Sequence, residues 1–181
     1  MRMSTSRVLL ATPSASFEQP FEMLEACHER MHRMLKLLAR LREHVRQHGG
    51  DAQAQQAARD VMRYFDQAAP QHHLDEELHV FPPLLARGRH EVQEIVRRLH
   101  RDHLEMEARW RDARTALLLL SEAQVGRFSA EDEAALDAFA ALYDDHIRAE
   151  EQIAYPDVQP LLDDAARAAM SQDMMRRRGV K

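Results

Sequence analysis

Four amphipathic stripes, each with a histidine set into its apolar face, constrain this chain more than any other feature. Phe21, Leu24, His28, Met31, Leu35, Leu38, Leu41 and Val45 recur at spacings of three and four, the period of one helix face. Gly49 and Gly50 end that helix, and Asp51 is placed to cap a second whose inner face reads Val61, Phe65, Ala68, His72 and Glu76. Pro70 predicts a kink or restart just ahead of the histidine. After Pro82, Pro83 and Gly88 a third stripe carries Val92, Ile95, Leu99, His103, Met106 and Trp110, and the helix runs to about Ser121. Ser129 with Asp132 resembles a capping signal for a fourth helix, whose inner face holds Leu136, Phe139, Tyr143, His146, Glu150 and Ile153. Pro156 and Pro160 break it, ahead of a short helix from about Leu161 to Met175. Long helices on short connections favour antiparallel neighbours, so the expected fold is all-α: an up-down-up-down four-helix bundle with a short C-terminal helix.

A chain of 181 residues suits one core. The expected organisation is a flexible leader over 1–16, the bundle over 17–175, and a solvated basic tail over 176–181 containing Arg176, Arg177 and Arg178. The formal charge of -5 gives no electrostatic footprint for nucleic acid. No apolar run approaches the ~20 residues of a membrane span. Cys27 is the single cysteine, so no internal disulfide forms, and a cytoplasmic setting is expected. The unusual count is histidine, at 11. Burying several unpaired ionisable groups in one bundle costs several kcal/mol, on the order of that for any isolated polar burial; a metal would satisfy them.

An internal repeat sharpens this reading. His72-His73-Leu74-Asp75-Glu76-Glu77 continues to Phe81-Pro82, and His146-Ile147-Arg148-Ala149-Glu150-Glu151 continues to Tyr155-Pro156, both H-x-x-x-E-E-x-x-x-[FY]-P. Residues four apart stack on one helix face, so each copy presents an imidazole and a carboxylate to the same inward point. Two such pairs can clamp two metals. Mixed imidazole and carboxylate donors suit iron, manganese or zinc better than copper(I) or calcium. His73, Asp75 and Asp102 flank these positions and could orient imidazoles through their second nitrogen.

HHLDEELHVFP and CHERMHRMLKLLARL resemble the second-helix and first-helix segments of the hemerythrin-like, or HHE cation-binding, family, and the resemblance spans about residues 18 to 162. It implies a non-haem di-iron site with His28 from the first helix, His72 and Glu76 from the second, His103 from the third, and His146 and Glu150 from the fourth, the two carboxylates bridging. It also implies two Fe ions as cofactor and O2 or NO as the small ligand, in sensing, scavenging, iron handling or stress response. The oxygen carriers of the family place two histidines four apart on the third helix. Here Leu99 precedes His103 by four and Glu107 follows by four, so Glu107 or a water completes the site, with His100 a weaker candidate. The set is similar to the four-His, two-Glu arrangement of the bacterial repair-of-iron-centres proteins, without their Cys-bearing N-terminal domain.

Rival readings use the same residues. His28-Glu29-Arg30-Met31-His32 matches the H-E-x-x-H helix of zinc metalloproteases, which also need a third ligand and a substrate-binding strand. Glu29 to His32 and Glu76 to His79 match the Glu-x-x-His spacing of ferritin-like di-iron oxidases, but on consecutive helices. A metal-free structural bundle would bury the histidines as packing. Cys27 reads as a small buried hydrophobe.

Overall fold

The computed structural model describes residues 19–180; the expected leader over 1–16 lies outside them. Helix α1 spans Pro20–His48, α2 Ala52–His79, α3 Phe81–Arg87 and α4 His90–Ser121. The last rod is composite: α5 Ala130–Ala140, α6 Tyr143–Ala149, a π-helical turn Glu150–Ala154, α7 Tyr155–Val158 and a 3-10 turn Gln159–Leu161, followed by α8 Asp164–Arg177. Among the described residues there is no β-strand. Packing runs α1 on α2, α2 on α4 and α4 on α5, the order of an up-down-up-down bundle. Between α1 and α5, Arg42 donates to Glu133 at 2.6 Å and to Asp137 at 2.5 Å.

Local chemistry sets the helix ends. Gly49 adopts φ 79°, a left-handed conformation that costs glycine little, and its N–H closes on the Val45 carbonyl at 2.9 Å. Beside it Gly50 donates to the Gly126 carbonyl at 2.7 Å, and a Cβ there would lie 2.8 Å from Leu120 Cδ1. Asp51 caps α2 by accepting from the Ala54 N–H at 2.8 Å. Ser129 and Asp132 form a reciprocal capping box at the start of α5.

Three expectations are corrected. Pro70 does not restart the helix: α2 runs unbroken from Ala52 to His79 through it, with Ala69 and His72 buried on either side. Pro82 and Pro83 sit in a short helix, α3, whose first turn tolerates proline. The fourth helix is segmented, with a two-residue turn at Ala141 and Leu142 and a π turn that begins at Glu150. In that wider turn the Tyr155 N–H reaches back to the Glu150 carbonyl, so Pro156 sits in the first turn of α7 and does not break the rod. The extra residue also rotates the buried face, so that Ala154, Tyr155 and Val158 are buried and Ile153 is half-buried.

The interior has two apolar ends. One gathers residues such as Met31, Ala69, Met106, Phe139 and Ile147; the other gathers Leu24, Phe81, Leu99, Ala149 and Tyr155. On α1, α2 and α4 the passage from one cluster to the other falls at the histidine of the stripe, and on the last rod just after His146, between Ile147 and Ala149. The polar layer is thus walled by packed side chains above and below. Arg177 and Arg178 depart from the expected solvated tail: α8 folds back on α1 and α2, and both arginines reach the fully buried Asp75 at 2.5 Å.

Candidate metal centre

His28 on α1, His72 and Glu76 on α2, His103 on α4, His146 on α6 and Glu150 at the π turn are all at most 3% exposed. Their donor atoms form two groups, His28, His72, Glu76 and Glu150 on one side, and His103, His146 and Glu150 on the other, each within 4.8 Å. Glu150 belongs to both. Its Oε2 lies 3.1 Å from His28 Nε2, while its Oε1 lies 2.9 Å from His146 Nε2 and 3.6 Å from His103 Nε2. Glu76 spans the same gap, with Oε1 3.4 Å from His72 Nε2 and Oε2 3.5 Å from His103 Nε2. Both carboxylates therefore lie across the line joining the two groups.

A surrounding layer of carboxylates fixes how the imidazoles face. Glu151 Oε1 accepts from His28 Nδ1 at 2.9 Å, Glu77 Oε1 from His103 Nδ1 at 2.8 Å, and Asp102 Oδ2 from His146 Nδ1 at 3.3 Å. An ionised carboxylate only accepts, so each Nδ1 carries a proton and each Nε2 points inward, able to ligate once any proton on it is displaced. There they face each other, His28 Nε2 to His72 Nε2 at 2.9 Å and His103 Nε2 to His146 Nε2 at 3.1 Å. Glu76 Oε2, both Glu150 oxygens and His72 Nδ1 are buried without a hydrogen-bond partner. Convergent Nε2 atoms and orphaned carboxylate oxygens are what a cation satisfies, and the donor set of four imidazoles and two carboxylates fits a pair of iron ions.

The repeat extends into this layer. In the first copy, Glu77 holds His103 and Phe81 stacks on the same ring, centroids 5.4 Å apart; in the second, Glu151 holds His28 and Tyr155 stacks on it at 5.6 Å. Tyr155 alone adds a hydroxyl, 2.5 Å from Glu76 Oε1 and 3.2 Å from His28 Nε2.

Protonation follows the same contacts. Burial disfavours charge on His28 and His103, but Glu150 and Glu151 push the former up to about 10, and Glu150, Glu76 and Glu77 the latter to about 11. His146 also moves up against its burial, through Glu150 and Asp102. Burial, then the His28 charge, drives His72 well down. Burial and the Glu150 charge raise Glu76 to about 7, whereas the surrounding histidines overcome burial and hold Glu150 well below the usual carboxylate range. Without metal the cavity is neutralised by protons that a cation must displace.

The hemerythrin HHE cation-binding domain model matches residues 19–158. The chain belongs to the hemerythrin HHE cation-binding family. An uncharacterised protein of Haemophilus influenzae is 30% identical over 139 residues, covering 77% of this chain and 78% of its own length. The hemerythrin fold here brings together all six residues expected as ligands, in two buried His/Glu clusters positioned to chelate metal. It leaves others out. His100 is exposed, and Glu107 is exposed and joins neither cluster. His32 is 41% exposed and lies 3.9 Å from Asp144, outside both groups, so the H-E-x-x-H residues do not converge on one point. His79 pairs with Asp173 at 2.8 Å, which removes the Glu-x-x-His reading at Glu76. Cys27 is half-buried, and burial raises its thiol. Asp75 orients no imidazole, because the two arginines of the C-terminal segment take it. Sequence reasoning missed Glu77, Glu151 and the Tyr155 hydroxyl, although the second Glu of each repeat copy was the available signal.

Proposed function

We propose that this hemerythrin-family chain holds a di-iron site, with Glu76 and Glu150 bridging and His28, His72, His103 and His146 terminal, and that the reduced site reacts with O2 or NO in sensing, scavenging or iron handling. The observation that carries this reading is the inward set of Nε2 atoms held by Glu151, Glu77 and Asp102 around the Glu76 and Glu150 carboxylates, three of whose four oxygens are buried without a hydrogen-bond partner. Two ferrous ions bound there would supply electrons or an open position to a small diatomic ligand.

With both carboxylates bridging, each side has two imidazoles and two carboxylate oxygens. No third imidazole is available on the His103 side, where Leu99, one turn before, is fully buried and offers no donor, and we place the open position there. Two carboxylates inside the site and three just outside it favour the more highly charged, oxidised ions, which argues for reaction with O2 and against simple carriage.

Metal analysis of the full chain after anaerobic loading with ferrous iron tests this reading. About two irons per chain are expected, falling to one or none in Glu76→Ala and Glu150→Ala, with His32→Ala unchanged. Full iron loading in both glutamate variants would overturn the assignment. Loss of metal in His32→Ala, with retention in His146→Ala, would favour an H-E-x-x-H zinc site.

A further inference from the structure

A cleft of about 460 Å³ lies between α2 and α4, and His103 and Glu77 form part of its wall. Its size falls in the ~300–1,000 Å³ range of pockets for small organic molecules, far more than a diatomic gas needs. Trp110 supplies the accessible aromatic face, backed by the buried rings of Phe65 and Tyr143, and is fixed by donating to Asp66 Oδ1 at 2.9 Å. Among the described residues that line the cleft there is no Lys or Arg; the formal charges are the carboxylates of Glu77 and Glu107 and, without metal, the His103 imidazolium paired with Glu77, which leaves Glu107 as the unmatched charge. Glu77 is engaged by His103 Nδ1 at 2.8 Å. Glu107 sits one turn further along α4 and has no hydrogen bond or ion pair among the described residues. His73 stacks face-on over His103, centroids 4.1 Å apart, and likewise has no hydrogen-bond partner among the described residues. Pro70, also in the wall, has no N–H to donate to the Asp66 carbonyl one turn back.

These groups share a preference. Aromatic faces attract cations through their quadrupole, and an unmatched carboxylate attracts them directly. Hydrogen-bond acceptors outnumber donors in the wall. We propose that the α2–α4 cleft binds a small organic cation with an apolar body, an alkyl- or arylalkyl-ammonium in chemical class, with the ammonium at Glu107 and the apolar part against Trp110 and Leu104. The cation is then held one helical turn from His103, as a co-substrate or effector of the neighbouring centre. The cleft exists without any metal, so this inference goes beyond the di-iron reading and stands or falls apart from it.

Trp110 is the only tryptophan in the chain, so its emission reports on the cleft directly. The full-length protein is titrated at constant ionic strength with 2-phenylethylammonium, and separately with the neutral 2-phenylethanol and the anionic phenylacetate, before and after removal of metal by chelation. A saturable change in Trp110 emission is expected for the ammonium, with at least tenfold weaker binding of the alcohol and none of the carboxylate. Glu107→Gln should weaken the ammonium about tenfold, leave the alcohol unchanged and keep its metal. Leu104→Arg, at a rim position that is 57% exposed and so tolerant of charge, should abolish ammonium binding. Equal binding of alcohol and ammonium, absence of saturation, or ammonium affinity unchanged in both variants would each overturn the proposal. Iron content measured on the same samples reports separately on the metal centre.

Discussion

The Tyr155 hydroxyl donates to Glu76 Oε1 at 2.5 Å, and the matching position of the first repeat copy, Phe81, has no hydroxyl to offer. One oxygen atom therefore makes a near-symmetric site asymmetric. Burial and the charges of Glu76 and Glu150 raise the Tyr155 phenol well above its ordinary range, so it stays a donor at every working pH. Tyr155→Phe removes the donor while preserving the ring stack on His28. Metal-free Tyr155→Phe should be less stable by about 1–3 kcal/mol, the cost of leaving a buried acceptor unpaired, and metal should shrink that difference. Denaturant melts of both forms check this; equal losses with and without metal would place the effect in packing.

The carboxylates outside the site act through the imidazoles they hold. Glu151→Gln and Glu77→Gln should each keep the fold and the metal stoichiometry while weakening metal affinity about 10–100-fold. Competition with a chelator of known affinity measures it. A change confined to the protein's melting temperature, with no change in competition, would contradict the role.

The shifts at His28, His103 and Glu76 give a pH signature. All three groups bind protons more tightly in the metal-free folded chain than unfolded, with folded values near 10, 11 and 7. Their stabilisation is present at the low end of this range and is lost as pH rises through those values. Metal-free protein should therefore melt at progressively lower temperature from about pH 7 toward pH 10. Iron-loaded protein has already released those protons and should change less, while a thousandfold excess of metal over Kd adds about 4 kcal/mol. Parallel slopes for the two forms across this range would refute the protonation scheme.

Leu99→His would place an imidazole one turn before His103. Anaerobically reduced wild-type protein mixed with O2 in a stopped-flow cell should convert to a ferric product that does not reverse when O2 is removed. The Leu99→His variant should oxidise at least severalfold more slowly, with part of its spectrum returning on deoxygenation. If it loads iron normally and oxidises at the wild-type rate, ligand number does not control the outcome.

Asp75 is fully buried between His72 and Glu76 in sequence, and its charge is met by Arg177 and Arg178 at 2.5 Å each. Replacing both arginines with alanine strands that charge and should cost about 3–5 kcal/mol, whereas Arg176→Ala, at a 77% exposed side chain, should cost little. Thermal melts of the two proteins decide it.

Most of the bundle could be read from the chain because burial on one helix face imposes a period that apolar residues must obey. His28, His72, His103 and His146 were visible as breaks in that period. The π turn at Glu150 was not, since it follows from fitting Pro156 and Tyr155 against a packed neighbour and has no local residue preference of its own. Glu77 and Glu151 were visible as repeated letters but not as anchors. Their partners lie 26 and 123 positions away, and only the docking of helices decides which histidine each one meets. Arg177 and Arg178 read as solvated for the same reason.

The link between His28 and Glu151 also bears on the timing of synthesis. A ribosome that has released α1 and α2 has delivered His28, His72 and Glu76, enough donors to catch a stray metal ion. Yet the ring of His28 is held in its working tautomer by a residue made 123 positions later, on the rod that also supplies Glu150. The nascent chain thus has neither donor group complete, since both include Glu150, and the two close together only when the last rod docks.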